Sequence, residues 1–281
     1  MVGLSSLLGA RAFAEGATRQ THFAPRAKRV IFLFLNGGPS HVDTFDPKPA
    51  LKTHEGQQPG GELYRKYKGT GFVPSPLQFA KHGRSGVEVS ESLPHLASVI
   101  DDCCVIRSMH TDVPNHEPAL LMMNTGNLQP IRPALGSWLL YGLGSENSNL
   151  PGYVVLRPSP KIVVGPALWS NSFLPGIYQG CHINNSKLDP KEVIRNISNN
   201  NLTRDAQRRQ LDMINQMNGL HRDERGGDPQ LEARIQSMEM AFRMQTEAQE
   251  AFDINQESKA TRELYGTGQF ADACLVARRL A

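Results

Sequence analysis

Six consecutive apolar residues, Val30 to Leu35, follow the basic stretch Arg26-Ala27-Lys28-Arg29. The run mixes β-branched and aromatic side chains and shows no polar alternation. That pattern predicts a strand covered on both faces, as in a parallel sheet. Asn36-Gly37-Gly38-Pro39 then breaks it. From Thr53 to Ser90 the chain is rich in Gly, Pro and Lys, which predicts a long surface excursion with at most short ribbons. Ser92-Leu93-Pro94 opens a helix with Leu93, Leu96, Ala97 and Ile100 on one face and Pro94 in its first turn.

Cys104-Val105-Ile106 reads as a second short strand. Asn115 to Gly126 reads as a strand exit, a helix and a glycine stop. Pro133 to Tyr141 is a further expected helix, with Leu135, Trp138 and Leu139 inward. Tyr153 to Leu156 and Ile162 to Val164 are expected strands. Alternating strands and helices argue for an α/β sandwich. Past residue 188 the pattern changes to a helical segment at about 189–265. Asp189-Pro190-Lys191-Glu192 carries a capping Asp, a Pro at the first helical position and a Glu at the third. Asp228-Pro229 starts a helix in which Leu231, Ile235, Met238 and Phe242 form a stripe. The methionines there are core filler, and the mixed charges a solvated face. Leu275 to Ala281 is an amphipathic run without a cap, the sign of a chain that ends before its domain does.

Composition adds limits. With 39% hydrophobic and 20% charged residues, the chain is neither a disordered tail nor a disulfide-dense miniprotein. A net charge of +3 gives no argument for a nucleic-acid partner. No apolar run reaches the ~20 residues of a spanning helix. The four cysteines contain no CxxC pair, which disfavours structural zinc. Adjacent Cys103 and Cys104 read as small buried side chains, with a strained vicinal disulfide as the alternative. Val2 to Leu8 is apolar and Ala12-Phe13-Ala14 is an A-x-A pattern before Glu15. The order matches the back half of an export signal, so a periplasmic or secreted mature chain starting near Glu15 is expected.

Two loops carry candidate chemistry. Asn36 to Asp46 follows the first expected strand, and ligands of open α/β sheets bind at strand carboxyl ends. Its glycines let backbone approach a ligand. His41, Asp43 and Asp46 offer an imidazole and two carboxylates, for metal binding or, equally, for turn capping. His110 to Pro118 follows the second expected strand. Asn115 is the expected N-cap, which puts His116 at a helix N-terminus that favours anions. The alternative is that Asn115 only caps and His116 only packs. Cys181-His182 has no further residue at ligand spacing, and His54, His82, His95 and His221 read as surface or packing residues. There is no GxSxG, Walker A or GxGxxG motif.

NGGPSHVDTFDPKP at 36–49, NHEPALLMMNTG at 115–126 and GSWLLYGLGSENSNLPGYVVL at 136–156 resemble the family of domain of unknown function 1501, DUF1501. AFDINQE at 251–257, RELYG at 262–266 and LVARRLA at 275–281 continue the resemblance in order. Members are bacterial and commonly exported by the twin-arginine route. The family looks like a branch of the sulfatase and alkaline phosphatase superfamily. That kinship implies an α/β/α sandwich with a mostly parallel sheet, divalent metal ions at its carboxyl edge and hydrolysis of phosphate or sulfate esters.

On that register Asn36 takes the place of a metal-binding Asp, His116 that of the nucleophile, and Leu120 that of an anion-stabilising Arg. The expected site is therefore catalytic His116 and Asn115, with metal donors Asn36, Asp43, His41 and His110. The resemblance further implies an export remnant and linker over 1–27, and the N-terminal part of a sulfatase-like domain over 28–281. Later metal-ligand segments of the family are missing from this sequence. The expected partner is a small anionic ester, with no nucleic acid and no stable membrane span. The leading expectation is an exported metallohydrolase relative, inactive as this fragment. The rivals are a secreted anion-binding or scaffold protein on the same fold, and a truncated product that folds poorly.

Overall fold

The computed structural model describes residues 24, 26–62, 69, 71–147, 149–157, 163–183, 201–225 and 229–281. The expected export signal, Ile162, Asp189 to Glu192 and Asp228 lie outside them. The architecture is mixed helix and strand, with two small two-stranded sheets among the described residues. The chain divides into two compact units, Phe34–Pro114 and Met1–Leu33 with Asn115–Ala281.

In the unit Phe34–Pro114, a short helix α1 (Ala50–Thr53) precedes a hairpin of β1 (Phe79–His82) and β2 (Val87–Ser90). These strands pair antiparallel, with Ala80 opposite Val89. They are the short ribbons expected within the surface excursion. The hairpin turn is tied down by Asp101, whose carboxylate accepts from Arg84 N at 2.8 Å and Ser85 N at 2.9 Å. Helix α2 (Pro94–Ser98) has its proline in the first turn as expected. Val89, Ala97 and Ile100 form the core, with Phe45, Val87, Leu93 and Val105 packed against them.

Two expected strands are corrected. Val30 to Leu35 and Cys104 to Ile106 form no strand, and most of their apolar side chains are exposed. An apolar run specifies that both faces want cover but not what supplies it. A parallel strand forms only when neighbours flank it. Cys103 and Cys104 are exposed free thiols, neither buried nor bridged.

In the other unit, α3 (His116–Thr125) starts after Asn115 and ends at Gly126, which takes the left-handed conformation (φ 69°) of a glycine C-cap. Helix α4 (Leu135–Leu143) begins two residues later than expected. Its buried position is Ser137, and its N-cap Ala134 is buried as well, while Leu135 and Trp138 are exposed. Ala134 N and Ser137 Oγ both donate to Ser170 O, which fixes that face inward. Strand β3 (Val154–Leu156) pairs parallel with β4 (Cys181–Ile183). Val163 and Val164 are not a strand but lead into a 3-10 turn, Gly165–Trp169.

Among the described residues four helices follow: α5 (Arg204–Arg225), α6 (Pro229–Phe252), α7 (Lys259–Tyr265) and α8 (Gln269–Leu280). Phe242 of the expected stripe is buried, Leu231 and Ile235 are half-buried, and Met238 is exposed. The core joins Ile183 of β4 to Met244 and Phe252 of α6, Ile254, and Leu275 and Val276 of α8. The amphipathic run at 275–281 thus buries its apolar side against α6.

Candidate functional site

The loop from Asn36 is shaped by backbone bonds. Gly38 N donates to Leu35 O at 3.0 Å, across a turn in which Gly37 and Gly38 hold φ of 90° and 73°. Glycine adopts those angles without the Cβ clash of other residues. Beyond it, His41–Asp43 is a single 3-10 turn. Thr44 closes it, with Oγ1 donating to Ser40 O at 3.0 Å, and Phe45 anchors it in the hairpin core. Ser90 N donates to Thr44 O at 2.9 Å, so the turn is stitched to β2.

This scaffold presents two carboxylates. The Ser40 hydroxyl, followed by that of Ser75, hydrogen-bonds to Asp43 and holds its carboxyl below the usual range. Asp46 is lowered chiefly by Lys48, whose Nζ lies 2.7 Å from Oδ2, with Arg107 and His41 adding weaker attraction. Both are therefore ionised at neutral pH. Ser75 and Lys48 were not among the sequence candidates. Lys48 could be found from its closeness to Asp46 in the chain. Ser75 carries no such signal, because its meeting with Asp43 is made by the fold.

The second loop gives a different picture. His110, Asn115 and His116 are exposed. Asn115 has the extended backbone of an N-cap, and its carbonyl accepts from Ala119 N at 3.1 Å. Its side chain makes no capping bond, however. Pro118 carries no N–H and Ala119 N is engaged, so His116 and Glu117 supply the remaining N–H donors of this turn. Glu117 also brings a negative charge to the positive end of the helix. An anion at this turn has two amides and the His116 ring in its favour and the Glu117 carboxylate against it.

The residues expected to act together fall in two groups. Asn36, His41, Asp43 and His110 belong to the unit Phe34–Pro114. Asn115 and His116 open the α3 segment of the other unit. His41 and Asp43 share one turn. Among the described residues, no three His, Cys, Asp or Glu side chains are grouped so as to hold a metal ion. His41, Asp43 and His110 therefore form no such group. Cys181 packs against the core of its unit, while His182 beside it in β4 is exposed. The Trp169 ring stacks on His182 with centroids 5.4 Å apart. Burial, then the Arg157 charge, lowers the His182 pKa, and burial raises that of Cys181.

Among the described residues, no helix is long and apolar enough to cross a membrane. No curated protein and no solved structure matches the chain. The model of DUF1501, described as a protein of unknown function, matches residues 27–281. That stretch holds, in order, the segments from NGGPSHVDTFDPKP to LVARRLA, and by that match the chain belongs to the DUF1501 family.

Proposed function

We propose that the chain is an exported, sulfatase/phosphatase-like metallohydrolase relative on an alkaline phosphatase-like α/β/α fold, and that it does not turn over esters as this chain. The family membership and the superfamily resemblance of its two loops support the lineage. One observation carries the second half: the candidate donors His41, Asp43 and His110 do not group into a metal site. Asn36 stands where the superfamily has a charged ligand, and Leu120 where it has a cation. His116 and the two amides of its turn remain to meet a small oxyanion. The export reading adds that the mature form begins near Glu15, which the mass of the secreted protein checks.

The test is hydrolysis of 4-nitrophenyl sulfate and 4-nitrophenyl phosphate while Mg²⁺, Ca²⁺, Mn²⁺ or Zn²⁺ is titrated. The expected result is no metal-dependent turnover. Turnover that rises with one of these ions and disappears in His116→Ala would overturn the proposal. The rival, a secreted anion-binding or scaffold protein, is favoured by Asn36 and His116 in place of the usual ligand and nucleophile. It predicts that sulfate raises the melting temperature in the absence of metal, and that His116→Ala abolishes the rise.

A further inference from the structure

Asn36 and Gly37 are the central residues of the turn that opens the first candidate loop. Gly38 N donates to Leu35 O at 3.0 Å across them, and the Gly37 φ of 90° suits the third position of a type II turn. Both residues are exposed. Among the described residues, neither Gly37 N nor the Asn36 side-chain amide makes a hydrogen bond. Other asparagine amides are held in place. Asn124 Nδ2 donates to Leu120 O at 2.9 Å, Asn215 Nδ2 to Glu239 at 2.7 Å, and the Asn171 amide to Leu174 O.

A backbone nitrogen can attack the side-chain carbonyl carbon of the asparagine before it and close a five-membered ring. The residue that owns the nitrogen sets the ease of attack, because its Cβ crowds the approach and glycine has none. A nitrogen tied into a helix or sheet bond is not available for it. Gly37 N is neither crowded nor tied. The chain supplies its own comparison, since its other Asn-Gly pair, Asn218-Gly219, lies inside α5, where the backbone N–H groups belong to the helix ladder.

We propose that this open turn makes Asn36 a site of spontaneous deamidation. Gly37 N bonds to Asn36 Cγ, the Cγ–Nδ2 bond breaks, and ammonia leaves with the proton of the Gly37 amide. Water then opens the cyclic imide at either carbonyl and leaves aspartate or isoaspartate at position 36. Water is the sole co-reactant. The net charge of +3 falls by one, and the loop that carries ionised Asp43 and Asp46 gains a third carboxylate. The isoaspartate form also carries the main chain through the former side chain, which lengthens the turn.

In the test, the full chain is held at mildly alkaline pH and sampled over time by peptide mapping with mass spectrometry. The peptide containing Asn36 should gain the mass difference between an amide and an acid and split into two chromatographic forms. One of them, the isoaspartate, should accept methyl groups from an isoaspartyl methyltransferase. Conversion at Asn36 should run about tenfold or more ahead of that at Asn218, where attack waits on local opening of the helix. In urea, with both pairs unfolded, the two rates should come together. Asn36→Gln, whose longer side chain disfavours the ring, should remove the acidic form at position 36 and leave Asn218 as it was. No conversion at Asn36, or equal rates at the two sites in the folded chain, overturns the proposal. A lead for Asn36 that persists undiminished in urea also overturns it, because the turn would then not be the cause.

Discussion

A Cβ added at Gly136, in the first turn of α4, would land on the ring carbons of Tyr153. One added at Gly180 would meet the same ring from β4's approach, at 2.9 Å from Cε1, and Trp169 at 3.0 Å. Neither glycine needs a positive φ, so both are kept by space rather than by backbone freedom. They form a slot for Tyr153, whose phenol is pushed up to about 12 by burial. Helix propensity favours alanine over glycine by about 1 kcal/mol, but overpacking costs about 1–3 kcal/mol and should win. Gly136→Ala is therefore expected to lower the melting temperature. Pairing it with Tyr153→Val should cost less than the two single changes added together. An additive cycle by denaturant melts would show that the ring does not fill the slot. Sequence marks such glycines only as punctuation, because their partner is distant in the chain. The same reason hid Ser75 from Asp43, while His41, Asp43 and Asp46 were legible as close neighbours.

Elements with end signals were the legible ones. Asn115 and Gly126 bracket α3, Pro94 opens α2, and α6 begins at Pro229. What the signals could not give is how elements are tied. Arg279 of α8 reaches the end of α6, with Nε donating to Ala251 O at 3.1 Å and Nη2 to Glu250 O at 2.9 Å. Its Nη1 pairs with Glu257 at 2.8 Å, and both side chains are largely buried. Terminal carbonyls of a helix lack intrahelical donors, so this cation supplies what the α6 end needs. Arg279→Ala should cost about 2 kcal/mol, the scale of hydrogen bonds to a charged group. Arg279→Lys should recover part of it. A denaturant midpoint unmoved by Arg279→Ala would remove this tie from the fold.

The pair α5 and α6 is joined by a second cation, and here pH enters. Arg208 donates to Glu239 through Nη1 at 2.8 Å and Nη2 at 2.9 Å, and Asn215 Nδ2 adds a bond at 2.7 Å. Arg208 also lies over the Phe242 ring at 5.2 Å. These donors, Arg208 foremost, lower the Glu239 pKa from 4.5. A carboxyl lowered on folding stabilises above its unfolded pKa, and that contribution fades as pH falls through the folded one. Stability from this pair is thus full at neutral pH and lost on acidification below about 4.5. Glu239→Gln should melt lower than the parent at pH 7, with the gap closing toward pH 3. A gap that stays constant over that range would assign the cost to packing rather than to charge.

At the scale of the molecule, mixed helix and strand was legible, because the alternation of apolar runs with capped helices repeats along the chain. The covering of the first run was not. Val30 to Leu35 has the composition of a doubly covered strand, yet Ile31, Leu33 and Leu35 are 48%, 60% and 51% exposed. Pattern reports what a segment requires, and only packing reports whether the requirement is met. A contiguous stretch of this kind is a site for dye binding and for association between copies. The double variant Ile31→Glu with Leu33→Glu places two like charges on it, and neither residue belongs to a buried core that the change would empty. The expected outcome is a fall of about half in anilinonaphthalene sulfonate fluorescence and less light scattering on heating, with the melting temperature held within about 1–2 °C, the range of surface substitutions. A large drop in melting temperature would mean instead that Ile31 and Leu33 are covered in solution, and the run would then be the buried strand its composition describes.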